Sequence, residues 1–316
     1  MPVSLEDCLV IGISSRALFD LRRENEIFER DGLQAYSDYQ IAHEDELLEP
    51  GSGFSLVKAL LRLNALSGKH MVEVIIMSRN SADTSLRVFS SIEHYGLDIT
   101  RAVLSGGENL SRYLESFGVD LFLSADEEDV QNAVNAGFAA GIIYPHADDY
   151  QREEISQIRI AFDGDAVLFS DESEKIYQEQ GLDAFVEYER ANARKPMPKG
   201  PFANFLKALS RLQDSFPPDA APIRTALVTA RNTPARERVI RTLRAWNVRI
   251  DEAFFLGGMP KRDVLQKFGA HIFFDDQDAH ASPASEVVPS ARVPYRSETE
   301  SLPQTGGEHD GNEKPA

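Results

Sequence analysis

The feature that most constrains this chain is that its folded part repeats itself. When Leu9–Leu63 is laid over Ile158–Leu212 at one constant offset, Ile11 falls on Ile160, Ala17 on Ala166, Ile27 on Ile176 and Tyr39 on Tyr188. Gly32-Leu33 falls on Gly181-Leu182, Gly51 on Gly200, and Lys58-Ala59-Leu60 on Lys207-Ala208-Leu209. With the offset increased by two residues the match continues. Arg87-Val88 falls on Arg238-Val239, Gly106-Gly107 on Gly257-Gly258, and Phe117-Gly118 on Phe268-Gly269. Any two α/β halves share a rough pattern, but glycine pairs at matched spacing point to one duplicated unit. The expected boundaries are 1–150 and 151–280 for the two units and 281–316 for a tail.

Each unit reads β-α-β-α-β. In the second, Ile158–Phe162 is a short apolar run of strand type. Pro201 opens a helix with Phe202, Phe205, Leu206, Leu209 and Leu212 on one face. Thr225–Thr229 is the next strand. Thr233 and Pro234 suit the start of a helix whose Val239, Ile240, Leu243 and Trp246 turn inward. Strands follow at Ala253–Leu256 and His271–Phe274, with a helix over Lys261–Phe268 between them. Strands alternating with helices give a parallel sheet covered on both faces. The expected fold class is therefore α/β, with two Rossmann-like parallel-sheet units. Ligands of such sheets bind at the carboxyl ends of the strands, so those ends are where chemistry is sought.

Charge excludes several partners. Lys plus Arg total 33 against 51 Asp plus Glu, a formal net charge of -18. That surface repels nucleic acid polymers and acidic membranes, while a small anion can still bind in a local positive pocket. The lone Cys8 rules out an intramolecular disulfide and a cysteine-built zinc site. Met1–Asp7 has two acids and no basic stretch, unlike a signal peptide, and no apolar run reaches the ~20 residues of a membrane helix. A cytoplasmic protein is expected. From Ala281 on, Pro, Ser, Glu and Gly dominate, and a disordered tail is expected.

The strand ends of the second unit carry a converging set. The first strand ends in Asp163-Gly164-Asp165. Residues i and i+2 of an extended segment point the same way, and two close carboxylates repel unless a cation joins them or one holds a proton. Mg²⁺ prefers oxygen ligands and suits such a cluster. The second strand ends at Thr229, followed by Arg231 and Asn232. Lys261 follows Gly257-Gly258 at a helix start. The last strand ends in Asp275-Asp276. A carboxylate nucleophile, acids for a metal, and donors for equatorial oxygens are what phosphoryl transfer needs. Each also has a plain alternative: acids after strands are common turn residues, Thr229 suits a strand, and Lys267 rivals Lys261.

This ordered set resembles the haloacid dehalogenase (HAD) superfamily. The strings Ala161–Glu172, Ile13–Leu21, Met77–Thr84 and Ile272–Gln277 are similar to the cytosolic 5′-nucleotidases of type I. The resemblance implies that Asp163 attacks phosphorus to form an aspartyl-phosphate and that Asp165 serves as acid and then base. Thr229 and Lys261 would hold phosphoryl oxygens. Asp163, Asp165 (through its backbone carbonyl), Asp275 and Asp276 would bind Mg²⁺. Arg231, two residues beyond Thr229 on the same edge, is expected to contact a nucleoside monophosphate substrate together with Gly164 and Asn232; its alternative is a surface ion pair. A small cap is implied at about 170–199, where Tyr177, Phe185 and Tyr188 either stack on a base or simply pack. Two other readings use the same residues: a phosphatase or phosphotransferase for another small phosphate ester, and a nucleotide sensor without turnover. The second is disfavoured because a binder needs no acid/base partner.

The first unit lacks this chemistry. Opposite Asp163 and Asp165 stand Ser14 and Arg16; opposite Thr229 and Lys261, Ser78 and Leu110; opposite Asp275 and Asp276, Ser124 and Ala125. Ser14, Arg16 and Arg79 remain as donors. They either form a metal-free anion pocket, for part of the substrate or a nucleotide effector, or pair with nearby acids. A homo-oligomer is left open.

Overall fold

The computed structural model describes residues 5–146, 156–217, 220–231, 233 and 235–297. Leu9–Ile13 (β1) is buried at all five positions, as a strand covered on both faces must be. There follow α1 (Ser15–Leu18), α2 (Arg22–Ala42), α3 (Phe54–Ser67), β2 (Val72–Ser78), α4 (Leu86–His94), β3 (Arg101–Leu104), α5 (Ser111–Leu114), β4 (Leu121–Ser124), α6 (Glu127–Asn135) and β5 (Ala140–Ile143). The second half runs β6 (Ile158–Phe162), an irregular turn (Gly164–Leu168), α7 (Glu172–Ala191), α8 (Ala203–Asp214), β7 (Ile223–Thr229), α9 (Arg236–Trp246), β8 (Glu252–Phe255), α10 (Arg262–Phe268), β9 (Ile272–Asp275), α11 (Asp278–Ser285) and β10 (Ser290–Arg292).

All ten strands form one sheet in the order β3-β2-β1-β4-β5-β10-β9-β6-β7-β8. Every neighbouring pair is parallel except β5 and β10, where Ala291 faces Ile143 and Arg292 faces Ile142 in antiparallel register. The sheet is therefore mixed, and the second half repeats the strand order of the first outward from that seam.

Three expectations change here. The fold does not stop at 280, because α11 and β10 complete the sheet and Ala281, Ala284, Val288, Ala291 and Val293 are buried. Composition hid this because the apolar surface is spread over alanines and valines among Pro and Ser; the rest of the expected tail, from 298, lies outside the described residues. Each half has a fifth strand, of only three or four residues, too short for a periodic signal. Ile240 is 41% exposed rather than inward, since α9 buries Val239 and Thr242 and Ile240 sits about 100° round the helix from Val239. The face expected on α8 is buried in full: Phe202, Phe205, Leu206, Leu209 and Leu212.

Helices α2 and α7 are arms broken at equivalent glycines, Gly32 (φ 83°) and Gly181 (φ 84°), a conformation that costs glycine little. Bridges Phe19–Pro50 and Phe169–Lys199 close the base of each arm. Gly200 sits so tightly there that a Cβ would lie 2.4 Å from the Phe169 carbonyl oxygen. Beneath the second half's strand ends lies an aromatic floor, with Phe162 and Phe274 stacked at 5.7 Å and Phe202 4.6 Å from Phe274. Phe162 and Phe274 are register partners. The residues that follow them, Asp163 and Asp275, therefore leave adjacent strands at the same level of a rigid base.

Candidate active site

The register continues into the site, where the Asp163 N–H donates to the Phe274 carbonyl at 2.8 Å. One carboxylate oxygen from each of Asp163, Asp275 and Asp276 lies within 4.8 Å of the others, and all three residues are buried. Lys261, immediately before α10, reaches into the group. Its Nζ is 2.7 Å from Asp163 Oδ1 and 2.6 Å from Asp275 Oδ2. Lys267, the rival at the far end of α10, instead lines an open cleft of about 390 Å³ with Arg159 and Phe254 that contains none of these residues.

Three carboxylates facing one ammonium are short of positive charge, and the titration behaviour reflects it. Burial, only partly offset by Lys261 and reinforced by Asp275, Asp276 and Asp165, pushes Asp163 well above the usual carboxylate range. Burial and the neighbouring Asp275 raise Asp276 to about 6, although the Tyr295 hydroxyl donates to it. Asp275 is also desolvated, but His280, Lys261 and the Gln277 N–H hold it below the usual value. Such a group fits a hard divalent cation: the donors are oxygens, they converge, and they carry the charge it would balance.

Asp165 is not part of this trio. Its carboxylate turns to Arg231, which donates from Nε at 2.7 Å and from Nη2 at 2.5 Å. Arg231, expected to touch substrate, is 5% exposed and donates its remaining Nη1 to Glu189 at 2.8 Å. Thr229 is buried, and its hydroxyl accepts from the Arg231 N–H at 3.2 Å. Gly164 is packed between Thr229 and Phe169; a Cβ there would be 3.3 Å from Thr229 Oγ1, so a side chain would crowd the turn carrying both acids. Asn232 lies outside the described residues.

In the first half the same strand ends hold no acid group of this kind. Ser14 caps α1 by accepting from the Ala17 N–H at 3.2 Å, and the Ser15 and Ser78 hydroxyls meet at 3.1 Å. Arg16 faces Asp126 at 3.7 Å, while Arg79 donates to Asp129 at 2.6 Å and to Glu128 at 3.0 Å. Both arginines are thus engaged by the start of α6. Asp129 is buried and raised by desolvation, with Arg79 as its counterweight. Arg79→Ala should therefore lower stability by about 1–3 kcal/mol in chemical denaturation while leaving turnover within about twofold. A large fall in substrate affinity at unchanged stability would assign Arg79 to a ligand instead.

Glu189, Tyr295 and Tyr144 were missed in the sequence, although the two tyrosines match across the repeat at the larger offset. Tyr295 follows β10 and reaches Asp276; Tyr144, its counterpart after β5, donates to Asp278 just beyond the acid pair. The Tyr295 carbonyl in turn accepts from Gln131 of α6 at 2.8 Å. The first half thus braces the loop that carries two of the acids, a relation only the shared sheet creates.

No helix among the described residues is long and apolar enough to cross a membrane. A family model described as 5′-nucleotidase matches residues 1–300. Human cytosolic 5′-nucleotidase 1B is 40% identical to the chain over 297 residues, which is 90% of this chain and 48% of that protein. The chain spans about half the length of this curated relative. No solved structure matches it.

Proposed function

The chain belongs to the 5′-nucleotidase family, and from that premise we propose that it is a cytoplasmic enzyme hydrolysing nucleoside 5′-monophosphates to nucleoside and phosphate. The observation that carries the reading is the buried Asp163–Asp275–Asp276 group with Lys261 between two of its members, beside a separately held Asp165. A carboxylate nucleophile, an independent acid/base and fixed positive charge are the parts that phosphoryl transfer requires.

Asp163 attacks phosphorus as the bond to the 5′-oxygen breaks, giving an aspartyl-phosphate. Asp165 supplies the proton that the leaving oxygen takes, then removes one from the water that cleaves the acyl phosphate and releases phosphate. Lys261 and Thr229 hold phosphoryl oxygens. Mg²⁺, held by Asp163, Asp275, Asp276 and the backbone carbonyl of Asp165, would neutralise charge on the transferring group. Helix α7 and its flanks, 170–199, serve as the cap, with exposed Tyr177 edge-on to Phe185, whose ring lies against the Arg231 guanidinium. The two halves descend from one duplicated unit, in keeping with their common strand order, and the first has become a support. Its arginines are committed to α6, so an effector there would have to displace those carboxylates. The test is phosphate release from a panel of nucleotides and sugar phosphates with and without Mg²⁺. Activity confined to other esters would move the substrate class, and transfer of phosphate to added nucleoside would favour the phosphotransferase.

The raised acids also set a pH dependence. Asp276 folds with a value of about 6, above the ~3.9 of an unfolded chain. Its protonated form therefore favours the native state. That contribution is complete below about pH 4 and is lost as pH rises through about 6. The melting temperature of the EDTA-treated protein should fall between about pH 4 and 7, by an amount worth about 2–3 kcal/mol from Asp276. Millimolar Mg²⁺ should cancel the fall at pH 7. A melting temperature that ignores both pH and Mg²⁺ would remove the cation from the site.

A further inference from the structure

Arg231 is shared between two carboxylates. Its Nε and Nη2 fork onto Asp165, and its Nη1 meets Glu189 Oε2 at 2.8 Å. Glu189 lies near the end of α7 and is fully buried. Its other oxygen accepts from Arg238 Nη1 at 3.0 Å and from the Ser173 hydroxyl at 2.8 Å. A buried carboxylate survives only when its partners are this complete, because desolvating it is otherwise too costly. The network therefore runs from the arm through Arg231 to the proposed acid/base.

The first half shows what the fold alone requires. Arg238 has a counterpart there in Arg87, but Glu189 is replaced by Gln40, Ser173 by Glu24, and Arg231 by Asn80. Arg87 donates to Glu24 at 2.5 Å. Each half thus neutralises its common buried arginine with one carboxylate from the arm, hung at a different position. In the first half it sits at the start of the arm and serves Arg87. In the second it sits at 189, where its second oxygen also reaches Arg231. Neutralising the arginine does not explain that position; holding Arg231 does.

We infer that Glu189 is a positioning residue for catalysis, acting through Arg231 to fix the orientation of Asp165. The inference rests on the reading of Asp165 as acid/base. A two-point guanidinium fork fixes the plane of a carboxylate as well as its place, provided the guanidinium is itself held. Glu189 provides that hold from the opposite side. Because it belongs to α7, which packs on the turn carrying Asp165, the placement of the arm and the aim of the acid are set together.

The test uses Glu189→Gln and the double variant Ser173→Glu/Glu189→Gln, which moves the carboxylate to the place it has in the first half. Both are assayed on a nucleoside 5′-monophosphate, whose alkoxide leaving group needs a proton, and on 4-nitrophenyl phosphate, whose phenolate does not. In single-turnover measurements Glu189→Gln should lose about 10²-fold in the rate of nucleoside release and under about threefold in the rate of 4-nitrophenolate release, steps that precede the Asp165-assisted hydrolysis of the aspartyl-phosphate common to both esters. The double variant should regain melting temperature, through a carboxylate beside Arg238, without regaining nucleotide turnover. Equal losses of this first step on the two esters would overturn the proposal, as would turnover that returns with stability. If the double variant does not fold, the ester ratio of the single variant decides. Failure of the broader reading looks different: the wild-type protein would then show no hydrolysis dependent on Asp163.

Discussion

Asp163→Asn should abolish phosphate release and leave a protein at least as stable as the wild type. Asparagine keeps the shape and removes the nucleophilic charge, so the expected loss is on the order of 10⁴- to 10⁶-fold in kcat, the scale seen when a covalent nucleophile is deleted. The stability half follows from the electrostatics. Asp163 is buried against Asp275, Asp276 and Asp165, and its value is driven upward, which means that its charge is unwelcome in the metal-free fold. Lys261 keeps Asp275 as a partner at 2.6 Å after the substitution. A rise of about 2 °C in the metal-free melting temperature would correspond to about 1 kcal/mol of relieved repulsion. Loss of activity with gained stability is the signature of a site strained for function, and misfolding cannot mimic it. A variant as active as the wild type would move the chemistry away from this edge.

The parts of this site that the sequence revealed are those whose position follows from strand ends. Asp163, Thr229 and Asp275 each end or directly follow a strand, and parallel strands bring their carboxyl ends to one edge whatever the details of packing. Lys261 was legible because the turn before it carries a glycine pair repeated in the other half. Glu189 was not: it is one of many acids along an arm of mixed polarity, and only the path of α7 brings it to Arg231. Arg231 was found at the right edge but its partners Asp165 and Glu189 were not, because an arginine's reach lets it serve substrate or carboxylate equally. The seam between β5 and β10 was invisible for a different reason. Two short strands of small residues show little period, and their pairing depends on both halves being folded. The dependence of the acid loop on Tyr144 and Gln131 is a consequence of that seam, so it too could not be read locally.

Lys261→Met should be the most destabilising single change at this edge, and the loss should depend on pH in a way that identifies its cause. Methionine nearly preserves the volume and removes the charge, leaving Asp163, Asp275 and Asp276 buried with no ammonium among them. Removing one partner of a buried ion pair typically costs about 3–5 kcal/mol, because the remaining charge is uncompensated. Here Lys261 also lowers all three acids; its absence raises Asp163 and Asp276 further above their unfolded values and removes part of what holds Asp275 below its own. Groups raised in the folded state favour folding only while protonated. The deficit should therefore be small near pH 4 and grow as pH rises through and beyond about 6, the opposite of ordinary acid denaturation. A divalent cation offers the same remedy as the lysine, so Mg²⁺ should stabilise Lys261→Met by more than it stabilises the wild type, in proportion to the charge it replaces. Chemical denaturation at pH 4.5 and 7.5, with EDTA and with millimolar Mg²⁺, separates these terms. A deficit equal at both pH values would make Lys261 a packing residue and would break the electrostatic link between lysine and acids on which its proposed role in holding phosphoryl oxygens depends.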